Sequence, residues 1–139
     1  MNNYQYVNYD WYNMNRQYQP NNLNLYNPEE AIIRGNLFKD LYKEYKNYKP
    51  RKPQLRTDQE KKLFEIQSLC FASHELNLYL DLHPEDQSML RLMNDYIIKK
   101  DQLVKEYENK YGPLTLNNTS NQTTFTWVNN TWPWEGYNV

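Results

Sequence analysis

Two short clusters hold the side chains able to ligate a metal or exchange protons. The first is Cys70 and His74, four residues apart and so on one face of a helix, with Glu75 beside them. His74-Glu75-Leu76-Asn77-Leu78 opens like a zinc-protease helix, but Leu78 stands where the second histidine is needed. Two ligands do not close a tetrahedral zinc site. The ordinary reading is a packed thiol and a hydrogen-bonded imidazole. The second cluster is Asp81, His83, Glu85 and Asp86. It could hold a cation, but such residues more often cap and complement a helix start. No Glu-x-x-His occurs, so a di-metal carboxylate bundle is not encoded. There is no Gly-rich phosphate loop, and two histidines leave no Ser-His-Asp set. The residues predict no enzyme and no cofactor. The competing reading is a small metal-binding protein or enzyme on His74, His83 and nearby carboxylates.

A third stretch is basic. Lys46, Lys49, Arg51, Lys52 and Arg56 are interrupted by Pro50 and Pro53, which favour extended backbone. With Tyr42, Tyr45 and Tyr48 nearby, it could grip single-stranded nucleic acid by charge and stacking. Five bases over eleven residues next to an acidic helix is a thin signal, and a solvated linker or a dock for an acidic protein surface explains it as well.

The elements that carry these residues follow from caps and periodicity. Asn27-Pro28-Glu29-Glu30 predicts a short helix ended by Gly35. A second amphipathic piece is expected over Leu37–Tyr42. Thr57 and Glu60 form a capping box, and the helix behind it should reach Leu82. Its apolar residues exceed one stripe, so it needs more than one neighbour. Pro84 is read as the first residue of the next helix, with His83 or Asp81 capping it, and Gly112-Pro113 as its stop. The short connection makes the two long helices antiparallel neighbours. Thr123–Val128 has strand-like residues.

The fold class predicted is therefore all-α. It is an antiparallel two-helix hairpin (57–112) preceded by short helices and a basic linker (27–56). A Tyr/Asn-rich tail (1–26) and a polar, then Trp-rich tail (113–139) are expected to be disordered or extended. Burying the hairpin's apolar faces does not offset its ordering entropy, which predicts recruitment of the preceding segment, the aromatic tail or another chain. Only 39% of the 139 residues are hydrophobic, too few for a large enzyme core. Net charge is −1, so no global field draws the chain to nucleic acid or membrane. Charge is nevertheless divided. Residues 27–62 carry ten Lys/Arg against six Asp/Glu, and residues 63–111 carry five against nine, giving +4 and −4. The single cysteine excludes an internal disulfide, and no apolar run predicts a membrane span. The start, Met1-Asn2-Asn3-Tyr4-Gln5-Tyr6, lacks the pattern of a signal peptide, so a cytosolic compartment is expected.

Three strings carry a family resemblance. Glu75-Leu76-Asn77-Leu78-Tyr79-Leu80-Asp81-Leu82-His83-Pro84-Glu85-Asp86, Glu106–Leu114 and Trp132-Pro133-Trp134-Glu135-Gly136 together resemble the CotJB spore coat family over about residues 58–136. Upstream, Tyr26–Tyr42 is similar to the short coat protein CotJA, whose usual Gly-Thr-Leu-Phe-Pro is here Gly35-Asn36-Leu37-Phe38-Lys39. The chain thus resembles a CotJA–CotJB fusion. The resemblance implies a structural coat polypeptide, assembled in the mother-cell cytoplasm and deposited on the spore. It implies partnership with a manganese-catalase-like coat protein and other coat proteins, in a homo- or hetero-oligomer. It carries no active site. The matched residues Leu76, Tyr79, Leu80, Asp81, His83, Pro84 and Asp86 are expected to act structurally, with Tyr107 and Tyr111 near the hairpin's open end. Trp132 and Trp134 are expected interface anchors, and tyrosines of the tails are candidates for oxidative cross-linking.

Overall fold

The computed structural model describes residues 24–40, 45–119 and 123–125. Three helices account for most of them: α1 (Pro28–Arg34), α2 (Asp58–Leu82) and α3 (Gln87–Tyr111). A 3-10 turn follows at Leu116–Thr119. Among the described residues there is no strand, only an isolated antiparallel bridge between Leu25 and Phe38. The all-α hairpin with a preceding helical segment is thus the observed fold. The expectations for residues 1–23 and for Trp127, Trp132 and Trp134 lie outside the described residues, as does the second half of the strand-like stretch.

The long helices begin and end on local chemistry. Thr57 Oγ1 accepts from Glu60 N at 3.1 Å, and Glu60 Oε2 accepts from Thr57 N at 3.0 Å, completing the capping box. At about 1.5 Å per residue, each 25-residue helix is about 37 Å long. α2 packs on both α3 and α1. Its buried stripe is Ile66, Leu69, Ala72 and Leu76, with Ser68 turned back onto Phe64 O at 2.7 Å. The core sits toward the hairpin joint, where Ala31, Leu37, Ala72, Leu76 and Met89 cluster.

The segment before the linker is a clamp rather than a pair of helices. Asn27 Oδ1 accepts from Glu30 N at 2.8 Å, and the ion pair Arg34–Glu30 closes one turn of α1. Gly35 then takes a left-handed φ of 73° and donates to Ala31 O at 2.8 Å. That reversal brings Leu37 back beside the start of the segment: Tyr26 N donates to Leu37 O and Lys39 N to Asn24 O, both at 2.8 Å. The described part of Leu37–Tyr42 is therefore extended and turning, not helical. Leu37 O and Lys39 N are taken by residues 24–26, and Phe38 N donates to Asn36 Oδ1 at 3.1 Å, in place of helical bonds. Leu37, fully buried, is what this geometry delivers to the core. Gly35→Ala should lower stability by about 1 kcal/mol, because a Cβ disfavours this φ, although nothing lies within 4 Å of it. An unchanged urea midpoint would contradict this.

Candidate functional site

The predicted residues gather at the two ends of the hairpin. At the joint, α2 ends on His83, whose N–H donates to Tyr79 O at 3.0 Å. α3 opens on Asp86, whose Oδ1 accepts from Ser88 N and Met89 N, both at 3.1 Å, and from the Ser88 hydroxyl. Two expectations are corrected here. Pro84 lies in the connecting turn, not at the first helical position, and Asp86 caps α3, not His83 or Asp81. The reason is that Asp86 satisfies two helix-start N–H groups at once, which places the first turn at Gln87.

Tyr79 ties the joint together. Its ring stacks on Phe38 at 5.1 Å and lies 4.4 Å from His83. Its hydroxyl donates to Asp86 Oδ2 at 3.2 Å, linking the last turn of α2 to the cap of α3. Loss of hydration, then the bond to Asp86, raises the phenol above its ordinary pKa. Bonds from Ser88 and Met89 hold the Asp86 carboxyl below the ordinary range. Leu76 is fully buried and Leu80 packs against the core. Asp81, His83 and Pro84 are exposed. Leu78 and Leu82, two of the apolar residues that exceed a single stripe on α2, are 49% and 80% exposed.

The open end has its own lock. Asp58 Oδ2 accepts from Lys110 Nζ at 2.8 Å and from the Tyr111 hydroxyl at 2.6 Å. These bonds, Lys110 first, lower its carboxyl to about 2. Tyr107 is buried, 5.0 Å from the Tyr111 ring, and its hydroxyl accepts from Gln59 Nε2 at 3.0 Å. Tyr107 and Tyr111 thus lie at the open end of the hairpin. Lys62–Glu106 and Lys99–Glu65 bridge the helices between the two ends.

Cys70 and His74 are both exposed on α2, so Cys70 is not the packed thiol expected. Among the described residues, no group of three His, Cys, Asp or Glu converges to hold an ion. Sequence reasoning missed Glu75 as a link to the clamp, where its Oε2 accepts from Leu37 N at 3.3 Å. The signal was present: Ser68, Ala72, Glu75 and Tyr79 recur at helical spacing along the side that meets the clamp.

The arrangement is two helices locked at both ends, with charged and apolar residues displayed outward at the joint. No described helix is long and apolar enough to cross a membrane. Compared with known families, residues 60–135 match the model described as CotJB protein. No curated protein and no solved structure matches the chain.

Proposed function

The chain belongs to the CotJB family of spore coat proteins, and on that premise we propose that it is a helical assembly module of the endospore coat. It oligomerises, recruits a manganese-catalase-like coat protein and contacts other coat proteins. Assembly takes place in the mother-cell cytoplasm before deposition on the spore. The observation that carries this reading is the extent of the family match, which takes in the hairpin and the Trp-rich tail together. The outward-facing Leu78 and Leu82 support it, since a helix that leaves leucines uncovered suits a partner surface. Residues 26–48 are a CotJA-like segment within a CotJA–CotJB fusion. The clamp that seats Leu37 in the hairpin core supports that assignment. Residues 27–56 and 57–112 are then one folded unit, with Trp132 and Trp134 as anchors outside it and tail tyrosines open to cross-linking.

Co-expression with the catalase-like coat protein of the same organism tests this. The expected result is a defined complex by pull-down and light scattering, weakened by Leu82→Asp or Trp134→Ala with helix content unchanged. Leu82 serves better than Leu80, which packs inside. A chain that stays monomeric on dilution and captures no coat protein would overturn the proposal.

A further inference from the structure

The +4 and −4 segments of the sequence each contain an exposed patch of their own sign. One is in the linker. Tyr48 N donates to Tyr45 O at 3.0 Å, with Asn47 at φ 64°, the left-handed third position of a tight turn that asparagine tolerates. The turn displays Tyr45, 86% exposed, and Tyr48, 40% exposed, each followed by an exposed lysine, Lys46 and Lys49. The other patch is at the hairpin joint. Leu78 and Leu82, one helical turn apart on α2, are flanked by the exposed Asp81 and Glu85. Lys46, Lys49, Asp81 and Glu85 form no ion pair with another described residue.

We propose that the Tyr45–Lys49 turn of one chain docks on the Leu78–Glu85 face of a second copy. The aromatic rings cover the two leucines, and the lysines face Asp81 and Glu85. The reading rests on the assembly role proposed above and names the surfaces that would carry it. The occupant is a second copy because the chain holds both halves of a complementary pair, and the described residues leave both exposed. The two patches are different, so the contact is heterologous and leaves one free patch at each end, which propagates a head-to-tail array. Each contact is small, so it is weak singly and gains from repetition. Its charged rim makes it sensitive to salt.

Charge reversal on the full-length chain tests this. Sedimentation at low ionic strength should show concentration-dependent association that salt weakens. Lys46→Glu/Lys49→Glu and Asp81→Lys/Glu85→Lys should each lower the association constant by about tenfold, like charges now facing one another. Mixed one to one, the two variants should associate again, because each linker then meets a joint of opposite sign. The substituted residues are exposed, and unchanged helical circular dichroism verifies that each variant folds. A monomeric wild-type chain, variants that associate like wild type, or a mixture that stays dissociated would each overturn the proposal. So would a linker that binds a single-stranded oligonucleotide while the chain does not self-associate. Any of these leaves recruitment of a coat partner to be judged by its own pull-down.

Discussion

Truncating Leu76 to alanine should destabilise the folded chain by about 3 kcal/mol, within the range for fully buried leucines. For a folded unit of this size that corresponds to a melting temperature lower by roughly 10–25 °C. The effect is large because Leu76 lies where every element meets. It shares one cluster with Ala31 of α1, Leu37 of the clamp, Ala72 of its own helix and Met89 of α3. The cavity left behind is lined by three helices held at their ends by caps and locks, so little collapse can fill it. Leu82→Ala is the matched control. At 80% exposure it should change stability by no more than about 0.5 kcal/mol. Thermal melts followed by circular dichroism decide the matter. Equal losses at the two positions would mean that the core does not run through Leu76.

The hairpin was readable because its signals are local. A capping box acts over four residues, and a glycine stop over two, so Thr57, Glu60, Gly35 and Gly112 can be read without knowing the partner helix. The clamp was not readable for the opposite reason. Leu37 and Phe38 keep a helical apolar spacing, but Leu37 O and Lys39 N pair with Tyr26 and Asn24, and periodicity within a short window does not report hydrogen bonds across such a gap. The start of α3 failed on competition between two valid signals. Pro84 favours a first helical position and Asp86 favours a cap, and only the side-chain bonds to Ser88 and Met89 choose between them. The division of α2 into covered and uncovered leucines was hidden as well. Apolar residues surround this helix, so its sequence says that several neighbours are needed without saying which face is left open. The exposure of Leu78 and Leu82, on which the proposed docking face depends, therefore emerged only from the packing.

Asp86→Ala should cost about 1–2 kcal/mol, and Asp86→Asn distinctly less, with the difference between them appearing in the pH dependence. Alanine removes the acceptor for Ser88 N and Met89 N and deprives the Tyr79 hydroxyl of its partner across the joint. Asparagine still offers an oxygen to the helix start, but it carries no charge. The wild-type carboxyl is held below its ordinary value of 3.8 in the folded chain. The unfolded chain therefore takes up a proton first as the medium is acidified. The stability contributed by Asp86 is complete well above pH 3.8, begins to drain as pH falls toward that value, and is lost as pH drops through the lower folded value. Asp58, held at about 2 by Lys110 and Tyr111, adds a loss of the same sign at the other end of the hairpin. Urea midpoints measured from pH 6 to pH 2 should thus fall steeply for wild type, and less steeply for Asp86→Asn. The Asp58→Asn/Asp86→Asn double variant should be flatter still. If Asp86→Asn follows the wild-type slope, the carboxylate does not carry the joint, and Asp86 acts only as a neutral acceptor for the start of α3.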